Sequence, residues 1–132
     1  MSNLLLLGEG DFSFSRDLCQ IMGYDEVSSD LVSVVTTSFD DRNDLQKKYS
    51  NIESTLSNLE SCRNVQIIHG IDATKNIKSQ LKDSCCKTLS FDYVVFNFPH
   101  LGYEDLKAHS SLIAHILHRC ECTLSIFLIA NI

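Results

Sequence analysis

Apolar runs typical of buried strands alternate along this chain with segments that have the periodicity of amphipathic helices. The runs are rich in branched and aromatic residues, and they predict strands over Asn3–Leu7, Leu31–Thr37, Val65–Ile68, Phe91–Phe96 and Thr123–Ile129. Helical spacing predicts helices over Ser13–Met22, Asp41–Ser61 with a break near Ser50-Asn51, Lys75–Asp83 and Glu104–Cys120. Such alternation predicts parallel βαβ units, and therefore an α/β fold with a mostly parallel, doubly wound sheet.

Length and charge limit what this fold can do. The 132 residues, 44% of them hydrophobic, predict a single domain, 1–132, and the longest apolar run is too short for a membrane span. The apolar run Leu4–Leu7 has no basic flank, so we expect no signal peptide and an intracellular protein, in the cytoplasm or alternatively the nucleolus. A net charge of −6 disfavours a free-standing nucleic-acid binder and a DNA partner. Action on RNA would need a local basic patch, another domain or a partner.

Ligands of doubly wound sheets bind beyond the carboxyl ends of the strands, so the residues after each strand are the candidates for function. The first predicted strand is followed by Gly8-Glu9-Gly10-Asp11-Phe12-Ser13, which opens directly into a helix. Gly8 permits a tight turn, Gly10 lets the backbone approach a ligand, and the helix offers free N–H groups. The motif is an imperfect G-x-G-x-x-G with Ser13 in place of the third glycine, so a plain tight turn remains an alternative.

Carboxylates follow the second and third strands. Asp40 and Asp41 come after Thr37, where an acidic residue can accept both hydroxyls of a ribose, or can cap the next helix. Asp72 and Ala73 come after the third strand, where a carboxylate can accept from the amine of an adenine or, again, cap a helix. We interpret the neighbouring His69 as a histidine of the core or its rim.

The fourth strand ends in Asn97-Phe98-Pro99-His100. A hydride-transfer enzyme has no particular use for this tetrapeptide, but an amide held in a rigid turn suits an N-methyltransferase. The Asn97 carbonyl can accept from a substrate N–H, and Pro99 fixes the loop. A second cluster, His115, His118, Cys120 and Cys122, has the residue types of a zinc site, but its spacing matches no standard finger and we predict no metal.

Together these motifs resemble one family. Leu4–Ser15 reads Leu-Leu-Leu-Leu-Gly-Glu-Gly-Asp-Phe-Ser-Phe-Ser, and it is followed in order by Thr37–Asp40, His69–Thr74 and Phe91–His100. This series is similar to the large-subunit rRNA (uridine-N(3))-methyltransferase-like domain, which also occurs in plants and in animal proteins with a ferredoxin-fold anticodon-binding domain. The resemblance implies a Rossmann-like, class I, S-adenosylmethionine-dependent methyltransferase that acts on a uridine in rRNA.

The same resemblance implies roles for the residues at the strand ends. The methionine part of the cofactor would be wrapped by Gly8, Glu9, Gly10, Asp11, Phe12 and Ser13. Asp40 would hold the ribose, and Asp72 with Ala73 the adenine. Asn97, Pro99 and His100 would face the base, and His100 is the nearby side chain suited to take the N(3) proton.

Class I sheets usually have seven strands, whereas this pattern gives five. We therefore expect a truncated domain with an apolar edge at Thr123–Ile132, and self-association or a partner at that edge. Three alternatives stay open: a non-catalytic or degenerate cofactor-binding or scaffold module, a methyltransferase for a non-RNA amide, and a nicotinamide-dinucleotide binder.

Overall fold

The computed structural model describes residues 2–22, 32–97 and 125–129. Its strands are β1 (Ser2–Leu7), β2 (Val32–Thr37), β3 (Val65–Ile68), β4 (Tyr93–Asn97) and β5 (Ser125–Ile129). Its helices are α1 (Ser13–Met22), α2 (Arg42–Lys48), α3 (Ile52–Glu60) and α4 (Ile77–Asp83). The break predicted near Ser50-Asn51 is confirmed as the junction of α2 and α3, while the predicted helix Glu104–Cys120 lies outside the described residues.

The strands form a five-stranded sheet in the order β3-β2-β1-β4-β5, and every pairing is parallel. β1 lies between β2 and β4, with Leu5 opposite Val35 on one side and opposite Val94 on the other. After β1 the chain adds β2 and β3 on one side of it, and then returns to add β4 and β5 on the other side. This change of direction places a switch point at the carboxyl end of β1. The prediction of an α/β fold with a parallel sheet is confirmed.

Helices cover both faces of the sheet because the four consecutive leucines of β1, Leu4–Leu7, point alternately to one face and the other and are all buried. Leu5 and Leu7 pack into a cluster with Ile77 and Leu81 of α4. Leu4 and Leu6 point to the opposite face, where they join a second cluster with the buried hydrophobic residues of α1, α2 and α3, which are Cys19, Leu45, Ile52, Leu56 and Leu59. A strand buried on both faces is typical of a sheet with helices on each side.

β5 pairs with β4 from Tyr93 opposite Ser125 to Asn97 opposite Ile129, and it lies at one end of the described sheet. Self-association through this strand, and the expected truncation, stay predictions. Among the described helices, none has the length and hydrophobicity of a membrane span.

Candidate cofactor-binding site

The loop between β1 and α1 has a shape that depends on a glycine at its first position. Gly8 has φ +67°, and a Cβ there would lie 2.6 Å from Cζ of Phe96. Since that contact is too short for any side chain, only glycine lets β4 and this turn pack together. Gly10 is exposed, and a Cβ there would lie 3.2 Å from the hydroxyl oxygen of Tyr49. At both positions, the space for a Cβ is therefore limited by side chains of the protein itself.

The side chain of Glu9 turns inward and is 8% exposed. Its carboxylate accepts a hydrogen bond from Oγ of Ser15 at 2.6 Å, and Ser15 Oγ lies 2.6 Å from Oγ1 of Thr36 on β2. Burial raises the pKa of Glu9 to about 7, although the Ser15 hydrogen bond acts in the opposite direction and the charge of Asp11 adds to the rise. The sequence predicted that Glu9 contributes to a binding loop, but it did not predict this inward orientation.

Asp11 and Phe12 shape the start of α1. The Asp11 carboxylate accepts from the Ser13 N–H at 3.0 Å. Partial burial acts to raise the pKa of Asp11, but hydrogen bonds from Ser13 and the charge of Arg16 outweigh it and hold this pKa below its usual range. Phe12 is fully buried with φ +63°, a left-handed conformation that is uncommon for a side chain of this size. Strain of this kind persists only where the surrounding structure imposes it.

The two aspartates after β2 have different partners. Asp41 caps α2, since its carboxylate accepts from the Asp44 N–H at 2.8 Å. Asp40 does not cap the helix, and its carboxylate forms an ion pair with Nζ of Lys48 at 2.8 Å. The helix-capping alternative therefore holds for Asp41 and not for Asp40.

Asp72, after β3, stabilises its own loop. Its Oδ1 accepts from the backbone N–H of Thr74 at 2.9 Å and from the Thr74 hydroxyl at 2.6 Å. Partial burial acts to raise the pKa of Asp72, but the Thr74 hydrogen bonds and the charge of Lys75 lower it below its usual range. The cap of α4 is Asn76, so Asp72 does not serve as that helix cap. Ala73 beside it is buried.

These three loops are joined by backbone hydrogen bonds at one edge of the sheet. The Glu9 N–H donates to the Thr37 carbonyl at 2.9 Å, which links the first loop to the end of β2. The Ser38 N–H donates to the Ile68 carbonyl at 3.1 Å, and the Ile71 N–H donates to the Ser38 carbonyl at 2.9 Å. The structure thus brings together the predicted residues Gly8–Ser13, Asp40, Asp72 and Ala73.

The fourth predicted loop is described only at its first residue. Asn97 ends β4, beside β1, whereas Pro99 and His100 lie outside the described residues. The same holds for His115, His118, Cys120 and Cys122. In the described part of the chain, no group of three or more histidine, cysteine or acidic side chains is arranged to hold a metal.

Comparisons with known proteins agree with this architecture. The family model described as rRNA (uridine-N3-)-methyltransferase BTM5-like matches residues 5–126. The chain is 31% identical to the 25S rRNA (uridine(2634)-N(3))-methyltransferase of Saccharomyces cerevisiae, over 83% of this chain and 38% of that protein.

Two further relatives come from a plant and a mammal. The chain is 34% identical to the heavy metal-associated isoprenylated plant protein 41 of Arabidopsis thaliana, over 83% of this chain and 19% of that protein. It is 33% identical to the ferredoxin-fold anticodon-binding domain-containing protein 1 homolog of Mus musculus, over 92% of this chain and 18% of that protein. The chain thus spans between about a fifth and two fifths of the length of these relatives. With the family model covering residues 5–126, the chain belongs to the BMT5-like rRNA (uridine-N3-)-methyltransferase family.

Proposed function

We propose that this domain binds S-adenosylmethionine and transfers its methyl group to N(3) of a uridine in large-subunit rRNA. The observation that carries the proposal is the convergence of the loops after β1, β2 and β3 at the switch point beside β1. Family membership supports the methyltransferase activity and the rRNA substrate. When bound, the cofactor supplies an electrophilic methyl group on a cationic sulfur.

The chemistry of the loops fits this cofactor better than a dinucleotide. Glu9, Asp11, Asp40 and Asp72 lie in the three loops, and the pKa values of Asp11 and Asp72 stay below their usual range, so these two are charged at neutral pH. A pyrophosphate would be repelled by a carboxylate at the start of α1, whereas a sulfonium and an ammonium group would be attracted. This charge pattern disfavours the nicotinamide-dinucleotide alternative.

Asp40 is the residue we assign to the ribose. It accepts from Lys48 through Oδ2, so its other carboxylate oxygen remains available to a hydroxyl, and the side chain is partly exposed. The adjacent Phe39 is 68% exposed and offers an apolar surface suited to a purine. We assign the adenine to Asp72 and Ala73, and the methionine part to the loop Gly8–Ser13.

The base to be methylated would face Asn97, Pro99 and His100. The amide of Asn97 would accept from a substrate N–H and orient the reacting nitrogen. Pro99 would fix the loop that carries Asn97 and His100. The imide at N(3) must lose its proton as it attacks the methyl group. His100 would accept that proton, because a neutral imidazole is the side chain suited to this transfer near neutral pH.

Transfer of a radiolabelled methyl group from S-adenosylmethionine to large-subunit rRNA tests the reaction. We expect label in 3-methyluridine, with Asn97→Ala and His100→Ala each lowering the rate by about 100-fold or more. Both variants should still bind S-adenosylhomocysteine, since they face the base. Cofactor binding with no transfer to rRNA would favour a non-catalytic module, and transfer to a different amide would favour the non-RNA alternative.

A further inference from the structure

One side-chain cluster contacts all three cofactor loops. His69 follows β3, and its Nδ1 lies 2.8 Å from Oγ of Ser38 in the loop after β2. Its ring also meets the ring of Phe12, in the loop after β1, with centroids 5.7 Å apart and the planes at 82°. The half-buried imidazole thus joins Phe12 and Ser38, which are 26 positions apart in the chain, through two different kinds of contact.

The hydroxyl proton of Ser38 decides which ring nitrogen of His69 carries hydrogen. Ser38 Oγ donates to the carbonyl oxygen of Asp40 at 2.7 Å, and a carbonyl can only accept. A serine hydroxyl has a single proton, so in its contact with His69 the oxygen must accept. Nδ1 of His69 therefore donates, and Nε2 carries no proton when the ring is neutral.

The charges around the ring favour this neutral form. Burial lowers the pKa of His69, and so does the positive charge of Arg42, while Asp41 and Glu60 act in the opposite direction without reversing the shift. A neutral ring with one donor, at Nδ1, has a fixed orientation, because rotating the ring would break the Ser38 bond.

We propose that His69 is a positioning residue, which holds the loops after β2 and β3 in register by donating from Nδ1 to Ser38 while its ring packs against Phe12 of the loop after β1. The Ser38 oxygen that accepts from His69 also fixes the Asp40 carbonyl, and the Ser38 carbonyl accepts from Ile71. The geometry of Asp40 and the start of the Asp72 loop consequently depends on one imidazole. The link to cofactor affinity rests on the function proposed above, whereas the link to loop geometry does not.

Two substitutions separate the donor from the bulk of the ring. His69→Phe keeps an aromatic ring against Phe12 but has no donor for Ser38. His69→Asn loses the ring, but its amide N–H lies at about the position of Nδ1. If His69 acts through its donor, loop order and cofactor affinity follow the N–H group. If the ring of His69 only fills space in the core, loop order and cofactor affinity follow thermal stability instead. His69→Asn should lower thermal stability more than His69→Phe does.

Amide hydrogen exchange of the ligand-free protein tests the loop geometry. We expect the amides of Ser38 and Ile71 to exchange at least about tenfold faster in His69→Phe, and to regain most of their protection in His69→Asn. Unchanged exchange in His69→Phe, or faster exchange in both variants, would overturn the proposal. A ¹⁵N spectrum of the wild-type ring should show the proton on Nδ1, and a proton on Nε2 alone would equally overturn it.

Titration with S-adenosylhomocysteine then tests the consequence for binding. His69→Phe should weaken affinity by about tenfold and His69→Asn by much less, despite its lower melting temperature. Equal affinity of wild type and His69→Phe would show that the donor has no role in binding. A wild-type protein that does not bind, but shows the expected exchange, would refute the proposed function and leave the positioning role of His69 in place.

Discussion

The loop after β1 and the loop after β3 lie at the same edge of the sheet, but they are held in different ways. The first is shaped by distant residues: Phe96 packs on Gly8, and Thr37 accepts from Glu9. The other is tied to distant residues only at its start, through His69 and Ile71, and from Asp72 onward it is held by near neighbours, since Asp72 binds Thr74 and exchanges hydrogen bonds with Gln80. Changes in the first loop should therefore disturb the whole fold, whereas changes at Asp72 should stay local.

Gly8→Ala should give the largest effect. Both Gly8 and Gly70 have positive φ, at +67° and +73°, but a Cβ at Gly8 would meet the Phe96 ring while a Cβ at Gly70 would meet no atom within 4 Å. We expect a cost of about 3 kcal/mol or more in the free energy of unfolding for Gly8→Ala and about 1 kcal/mol for Gly70→Ala. Urea unfolding measures both costs. Equal costs would show that the contact with Phe96 does not add to the cost of Gly8→Ala.

Glu9→Gln should give the next largest effect, and one that depends on pH. The carboxyl of the unfolded chain ionises near 4.5 and that of the folded chain near 7, so between these values the folded state holds the extra proton. Stability therefore falls as pH rises through this window, by about 3 kcal/mol, whereas an amide at position 9 does not titrate. Melting temperatures measured from pH 4 to pH 8 should show an advantage of the variant that grows with pH.

Ser15→Ala sharpens this prediction. Because the Ser15 hydrogen bond opposes the rise in the pKa of Glu9, its removal should raise that pKa further and extend the loss of stability to higher pH, while the loss still begins at the pKa of the unfolded chain. Parallel pH profiles for wild type and Glu9→Gln would contradict the account of a buried, titrating carboxyl.

Asp72→Ala should give the smallest effect. It removes the hydrogen bonds to the N–H and hydroxyl of Thr74, which we expect to cost about 1 kcal/mol, and Asp72→Asn should recover much of this because its amide oxygen still accepts. Amide exchange in Glu9 should not change in either variant. Faster exchange there would mean that the loop after β3 is coupled to the first loop more strongly than its own contacts indicate.

The sequence predicted the elements well where a local pattern determines them. Helix α1 and strand β3 match the predicted bounds, because an amphipathic period and a run of branched residues are both local signals. The break predicted near Ser50-Asn51 is likewise confirmed, since α2 ends at Lys48 and α3 begins at Ile52. The start of one helix was predicted less accurately, since α4 begins at Ile77, after its cap Asn76, and not at Lys75.

The candidate site was less predictable, because its details depend on contacts between distant residues. No local pattern indicates that Glu9 turns inward, since its partners include Ser15 and, through it, Thr36. Residue type does not indicate the positive φ of Phe12 either. In the structure this conformation occurs together with the contact between the Phe12 and His69 rings. Asp40 and Asp41 are identical residues side by side, and only the structure identifies Asp41 as the cap. The predicted place of His69, at the rim of the core, agrees with its half-buried ring.

Calorimetric titration with S-adenosylhomocysteine, with NADH as the competing ligand, tests most directly that these loops form a cofactor site. We predict binding of one S-adenosylhomocysteine per chain, no binding of NADH, and loss of binding in Asp40→Ala. Lys48→Ala is the matched control, since it removes the ion-pair partner of Asp40 and leaves the carboxylate for the ribose. A folded protein that binds no S-adenosylhomocysteine, or an Asp40→Ala variant that binds as tightly as the wild type, would contradict the account.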